Sequence, residues 1–514
     1  MKAKWWHSGW LKAGVIAVVL ITGFYVQQNL AGALAWKKRE KEVAAAGESL
    51  DAGALVPKPV PDDQNLGALP LFQLSYDSKG YLTTHALIAA LEHVKNTEAP
   101  SDKGRGVEGA LPYPGNWTKG EKLDRIQVRK KLLELCLEPP SSTATSLELL
   151  ARLCPALVSL RAANLTRPAC LLPQDPNPIP WRKSLTGITT QIQVAKVLAY
   201  EERLALDAGH ADLALEDILL ALKLSSGVEK EAHLVGGLVA VGMLAIQIET
   251  IRQGLAGHVW NDQELAKLEQ ALGKADHLAT YQLDMRGEAI NWVIPMADYL
   301  KDHRALLRDL LIGEYGINSR MSSSSGSWGS QLRERIWVEI VPVAVWLFPN
   351  GWLDRYKADM VGFFLHANLP MVDIPSHRAF AEKEGHAEAW INNLPASESW
   401  RNLLTATVDP MGHAIRKFAY GQVQVDEARL ACRLERYRLV HGVYPESLAM
   451  LESLHGANPL DLLVGKPYLY RLNPDGSYLL YSLGWNQKDD GGDFTGKPRE
   501  EALDWGWLNR PTTP

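Results

Sequence analysis

The feature that most constrains this chain lies at its start. From Ala13 to Trp36 no residue carries a charge, and Ala13 to Val26 is apolar apart from Thr22. A helix rises ~1.5 Å per residue and a bilayer's hydrocarbon core is ~30 Å thick, so an uncharged span of this length can cross one. Lys2, Lys4 and Lys12 flank it on one side, and Lys37, Lys38, Arg39 and Lys41 on the other. Basic clusters around an apolar segment at the extreme N-terminus argue against a buried core helix. Two readings remain. In one the segment is an uncleaved anchor; in the other it is a signal peptide with Ala33-Leu34-Ala35 as a small-residue cleavage site. Polar Gln27, Gln28 and Asn29 weaken the second half of the span and separate the apolar run from that Ala-x-Ala, which favours the anchor. Lys and Arg are too evenly balanced across the span to fix its orientation. A body outside the cytoplasm follows from cleavage and is also the usual outcome for a single N-terminal anchor.

The rest of the chain is bounded by size and charge. Its 514 residues exceed one ordinary domain, and 46% hydrophobic residues can bury a large core. A net charge of −5 offers no basic field for nucleic acid. Cys136, Cys154, Cys170 and Cys432 form neither CxxC nor a zinc spacing, and read as buried apolar residues. The 17 tryptophans fit aromatic packing in a large helical protein.

These patterns divide the chain. Residues 1–36 form the anchor and 37–70 a charged, proline-rich linker, where KKREKE precedes VPKPVPDD and repeated proline removes backbone donors. Residues 71–318 are read as an α-helical body. Within it Leu234, Leu238, Val241, Leu244, Ile248 and Ile251 make one helical stripe, and Asn261 to Glu264 has the form of a capping box before Leu265, Leu268 and Leu272. Two antiparallel helices meet at Ala208-Gly209-His210, as in a tetratricopeptide hairpin, but no second copy recurs at a fixed period. A serine-rich loop covers 319–330, a second helical region 331–412, and an α+β module 413–514.

Local signatures of chemistry are few. Gly104 to Gly109 is a literal G-x-G-x-x-G, yet it lacks the preceding strand and following helix that a dinucleotide needs. Ser322 to Ser330 has no G-x-S-x-G. Ile336 to Phe348 is strongly apolar but short, and Glu339 and Pro342 interrupt it. His366, His377 and His386 share a region without HExxH, and read as solvated or capping side chains.

The last hundred residues carry the firmest local pattern. His413 to His441 reads as a long helix closed by Gly442, free to take positive φ. Pro445 restarts a short helix whose buried side is Leu448, Leu451 and Leu454. KPYLYRL and SYLLYSL then flank Asn473-Pro474-Asp475-Gly476, a β-hairpin pattern. The acid-rich NQKDDGGDF and a closing LDWGW follow.

In this order, HGVYPESLAML, GKPYLYRL, DGSYLLYSLG, NQKDDGGDF and LDWGW resemble the C-terminal domain of the major pseudopilin of type II secretion, over about a fifth of the chain. The resemblance implies a helix packed on a small antiparallel sheet, with a calcium-binding loop after the last strand of the hairpin. It assigns the ligands to the Leu483 carbonyl, Asn486, Asp493 and Asp504. The family usually has an acid where Asn486 stands, so one charge is lost and calcium affinity is expected to be lower. Asp489 and Asp490 lie nearby. Residue types alone favour a solvated acidic turn, because the EF-hand pattern is absent; the hairpin and the LDWGW closure bring calcium level with it. One departure is large: a pseudopilin joins its membrane helix directly to this module behind a prepilin cleavage site, and here some four hundred residues intervene and no such site follows Gly23-Phe24.

The expected fold is therefore mainly α: an N-terminal transmembrane helix, a large α-helical body and a small C-terminal α+β module with an antiparallel β-hairpin. The expected setting is the inner membrane, single-pass, with the body periplasmic or otherwise extracytoplasmic. Two function classes stay open. One is a noncatalytic envelope protein whose body and tail bind the membrane's secretion or pilus-like assemblies, with calcium in the tail. The other is an exported hydrolase or other enzyme with a site assembled from distant residues. Absence of every local catalytic signature favours the first.

Overall fold

The computed structural model describes residues 3–72, 75–76, 82–83, 124–136, 144–173, 186–312, 345–392, 413–494 and 499–509. Its helices are α1 (Ala3–Ala45), α2 (Arg125–Leu135), α3 (Ser146–Leu153), α4 (Ala156–Asn164), α5 (Thr186–Ala208), α6 (Ala211–Val228), α7 (Leu234–Ala256), α8 (Asp262–Leu272), α9 (His277–Gly287), α10 (Ile294–Asp302), α11 (Arg304–Ile312), α12 (Asn350–Phe363), α13 (Glu384–Asn392), α14 (Ala414–His441) and α15 (Ala449–His455). Three two-residue antiparallel pairs stand apart from the main sheet: β1 (Ser75–Tyr76) with β2 (Leu82–Thr83), β3 (Val372–Asp373) with β4 (Arg378–Ala379), and β5 (Leu460–Asp461) with β6 (Lys466–Pro467). The main sheet runs β7 (Leu469–Leu472), β8 (Tyr478–Ser482), β9 (Trp505–Asn509), antiparallel throughout. The fold is mainly α with a small C-terminal sheet, as the sequence suggests.

Local chemistry sets many of the element ends. Gly209 takes φ 83 between α5 and α6, which pack side by side. At α8, Asn261 Oδ1 accepts the Glu264 N–H at 3.0 Å while Glu264 Oε2 accepts the Asn261 N–H at 2.9 Å, the reciprocal capping box. Leu265, Leu268 and Leu272 are then fully buried. Gly442, at φ 79, closes α14 with its N–H donated to Arg438 O. Of the α7 stripe, Leu234, Leu244, Ile248 and Ile251 are buried, whereas Leu238 and Val241 are half-buried beside a groove. The short helix expected at Pro445 begins instead at Ala449; Leu448 and Leu451 are buried, but Leu454 at its end stays exposed.

Two cores organise the packing. The smaller joins Leu66 and Phe72 to α2, α3 and α4 and to one side of α5, α6 and α7. Arg161 of α4 braces it with a bidentate pair to Asp217 of α6, at 2.7 and 2.8 Å. The larger runs unbroken from Val43 of α1 through α7, α9 and α12 to α14, Trp505 and Trp507. The boundary drawn at residue 413 is thus crossed by a shared core. Arg252 of α7 stacks on Trp507 at 4.0 Å and donates to Gln424 of α14 at 2.6 Å.

The first helix also departs from the expected division. It continues past Trp36 to Ala45, and from Gln28 onward it lies along α12 in the same direction. Gln28 Oε1 accepts the Trp352 Nε1–H at 3.0 Å, and Asn29 Oδ1 accepts the Gly351 N–H at 2.8 Å. Gly32 meets Gly351 so closely that a Cβ on Gly32 would come 2.1 Å from Gly351 O. Higher up, Arg39 Nε donates to Ala358 O at 2.8 Å and Lys357 Nζ sits 4.3 Å from the Trp36 ring centre. Glu48 then takes a bidentate bond from Arg286 of α9. Within the remaining linker, Asn65 pairs with both the N–H and the C=O of Leu171, which draws Leu66 into the smaller core. Gly104 to Gly109, Ser322 to Ser330 and residues 336–344 of the apolar stretch lie outside the described residues.

Candidate metal centre

The acidic loop leaves the end of β8, whose five residues are all buried. Gly484 turns the chain at φ 64, and a Cβ there would lie 2.1 Å from Leu503 O and 3.3 Å from Asp504 Cα. Glycine is therefore what lets Leu483-Gly484 press against Leu503-Asp504. Directly after that contact, Ser482 pairs with Trp505 as β9 begins. Asp504 sits at the loop's centre with no solvent exposure. Its Oδ2 accepts the N–H groups of Asp490 at 3.1 Å and Gly492 at 2.8 Å, and its own N–H donates to Asp493 O at 3.2 Å. Gly491 and Gly492, at φ 79 and 81, curl the backbone so that those N–H groups converge on one carboxylate oxygen.

The other oxygen, Asp504 Oδ1, is buried without a hydrogen-bond partner, and among the described residues no basic side chain pairs with Asp504. Burial raises the Asp504 carboxyl from its ordinary value, and the charge of Asp490 pushes the same way, against the backbone N–H bonds. A buried carboxylate oxygen of this kind is costly unless a cation or proton meets it.

Of the four residues expected to ligate calcium, the backbone gathers Leu483, Asp493 and Asp504. Asn486 belongs to the same loop but is engaged elsewhere: its Nδ2 donates to Asp490 Oδ2 at 2.8 Å and its Oδ1 accepts the Lys488 N–H at 2.9 Å. Asp489 likewise accepts from Tyr481 Oη at 3.1 Å and from the Gly491 N–H at 2.9 Å. Among the described residues no three carboxylate, imidazole or thiol groups converge as a metal-holding set. The groups that fit calcium here are oxygens only, and within this loop, among the described residues, Asp504 Oδ1 is the buried acceptor left open. Leu483 and Asp493 would complete its surroundings, and Asn486 could join by releasing Asp490.

Two further residues position this loop. Asp461 is buried, with Oδ2 accepting the Leu483 N–H at 3.2 Å and Oδ1 the Leu463 N–H at 2.9 Å. A lone acid in the apolar string PLDLL was the available signal for it. Glu384 reaches across from α13 and accepts from Trp485 Nε1 at 2.7 Å and Arg416 Nη2 at 2.8 Å, so the loop's tryptophan is tied to the body. The histidines do not meet: His366 lies 3.8 Å from Glu42, His377 lies 3.8 Å from Asp426, and His386 belongs to α13.

A second acid-rich region surrounds the start of α7. Asp284 Oδ1 accepts the His233 N–H at 3.0 Å and Glu288 Oε1 the Leu234 N–H at 2.9 Å, while His233 Nδ1 accepts from Val235 N at 3.2 Å. These bonds satisfy N–H groups that a buried helix start would otherwise strand, and the helix dipole favours the carboxylates. Burial still holds Asp284 well above its ordinary range, with Glu288's charge adding to it. Nearby, burial lowers His277 to about 4 and raises Glu229 to about 7, their closest atoms 3.4 Å apart. Asp284 and Glu288 thus act as caps through one oxygen each, while Asp284 Oδ2 is buried without a hydrogen-bond partner.

Comparison with known protein families, curated proteins and solved structures finds no match to this chain.

Proposed function

We propose that this chain is a noncatalytic, single-pass envelope protein, anchored in the inner membrane by α1, whose extracytoplasmic body binds protein partners and whose tail takes calcium. The observation that carries the reading is the division within α1. Leu11, Val15, Ile16, Val18, Val19, Leu20 and Ile21 are all exposed, whereas the same helix buries Val43 and docks on α12. Exposed apolar surface on every face of a helix is stable in lipid and unfavourable in water. The Ala33-Leu34-Ala35 stretch falls inside this continuous helix, beside the packed Gly32.

For partner binding, the support is a groove of about 370 Å³ between α7 and α14, lined by Leu238, Val241, Ala245, Lys417 and Tyr420, with Glu500 and Glu501. The resemblance of the tail to a major pseudopilin points the partners toward a secretion or pilus-like assembly. The calcium role rests on Asp504 Oδ1, buried and open among oxygen donors.

Affinity capture from native membranes tests the reading. Envelope-assembly proteins should be recovered with the unaltered chain and lost with Ala245→Trp, which fills the groove. Recovery of none, or of the same set with both chains, contradicts it.

A further inference from the structure

We infer that the body itself rests on the membrane, through the Trp346-Leu347 turn beside the point where α1 leaves the bilayer; this rests on α1 being the anchor. Trp346 and Leu347 are 64% and 66% exposed, side by side at the start of the segment leading into α12. Among the residues whose burial is described, Trp346 is the one tryptophan with a mainly exposed side chain. Their place along α1 is fixed. Tyr25 Oη donates to Leu347 O, Phe24 meets the Trp352 ring edge-on at 6.3 Å, and Phe348 meets it at 4.8 Å. Gln28 and Asn29 begin the docked half of the helix directly above.

The exposed turn therefore lies level with the upper end of the unpartnered apolar span. Below it, Leu11 to Val26 extends roughly 24 Å, and Trp5, Trp6 and Trp10 stand on the same helix ~22–30 Å from Tyr25. That separation is about one hydrocarbon core, so aromatic residues mark both ends of the span as they do at membrane–water interfaces. Arg304, which donates to Asn350 Oδ1 and lies close to Tyr25, puts a cation at the same level as the turn. A tryptophan and a leucine exposed to water at this position are unfavourable; seated at the headgroup boundary they add apolar burial to the anchor. The occupant is the same bilayer that α1 crosses. Because α1 and α12 lock at Gly32 and Gly351, contact at the turn also fixes how the body stands over the membrane.

Spin labels placed by cysteine substitution measure this. In a Cys136→Ser background, leaving only the buried Cys154, Cys170 and Cys432, labels go at Val18, Leu347 and the exposed Leu165 of the full chain in lipid vesicles. Collision with oxygen and with a water-soluble nickel chelate reports depth. Expected are a deep position at Val18, water exposure at Leu165, and an oxygen-to-nickel ratio at Leu347 several-fold above that of Leu165. A deep Val18 with Leu347 as nickel-accessible as Leu165 overturns the inference and leaves the anchor standing. Nickel access at Val18 removes the anchor reading itself. A Leu347 label shielded from both reagents means protein, such as a second copy, covers the turn, and the inference fails.

Discussion

The helices α1 and α7 pass the same test of length and apolarity and end in opposite surroundings. The most apolar stretch of α7 is the more apolar of the two, yet none of that in α1 is buried within the protein and 56% of that in α7 is. Apolarity alone does not place a helix; the neighbours available to it do. α7 is surrounded by α5, α6, α9 and α14, and its buried start is capped by Asp284 and Glu288. The lower half of α1 has no such neighbours among the described residues. Glycine makes the contrast sharp. A Cβ on Gly237 of α7 would lie 1.8 Å from Asp284 Oδ2 and 2.7 Å from Phe418, whereas one on Gly14 or Gly23 meets nothing within 4 Å.

The largest effect follows from that difference. Gly237→Leu should cost about 4 kcal/mol or more through overpacking against Asp284 and Phe418. Gly23→Leu should change the body's stability by less than about 0.5 kcal/mol. Thermal unfolding of both variants in detergent checks this, and equal tolerance at the two positions would erase the distinction. Next, Val18→Arg should weaken membrane insertion by about 2.5–3.5 kcal/mol while leaving the folded body intact. Carbonate extraction together with circular dichroism separates the two effects; loss of the body's fold would mean that the lower half of α1 packs on protein.

The pH dependence probes the α7 side. His277, lowered from 6.5 to about 4, contributes stability that is present above pH 6.5 and lost as pH falls toward 4. Glu229, raised from 4.5 to about 7, contributes stability that is full below pH 4.5 and lost as pH rises toward 7. The two limbs oppose each other, and at about 1.4 kcal/mol per pKa unit each is of order 3 kcal/mol. Asp284, also raised, adds to the Glu229 limb. With Asp284 added, the acid limb outweighs the His277 limb, so wild type should lose stability as pH rises from 4.5 to 7, and His277→Gln should lose more over the same range. A variant whose midpoint tracks wild type across that range would show that His277 is not the opposing group.

The smallest effect concerns the tail, which reaches α7 through Trp507 on Arg252. Calcium at ten times its dissociation constant should stabilise the chain by about 1.4 kcal/mol, and Asp504→Ala should abolish the shift. No melting shift at millimolar calcium would leave the loop a polar turn closed by Asp504 alone.

Much of the local structure was legible in the sequence. The capping box at Asn261 and Glu264, the Gly442 stop and the hairpin around Asn473 to Gly476 depend on residues near one another in the chain, and all three stand where the pattern puts them. What could not be read depends on distant partners. Gln28 and Asn29 looked like a weakening of the apolar span; they are its docking contacts on α12, more than three hundred residues away. The joint core of body and tail was hidden likewise, because Arg252, Gln424 and Trp507 come from separate elements. In the loop, Asp504 and the paired glycines were visible, but the engagement of Asn486 with Asp490 was not.

In the proposed arrangement α1 is one uncut helix whose lower half lies in lipid and whose upper half belongs to the body. Intact-mass measurement of the mature chain recovered from carbonate-washed membranes tests this most directly. A membrane-retained chain that begins at or next to Met1 is the predicted result. A chain that begins at Trp36 and is released by carbonate would contradict it.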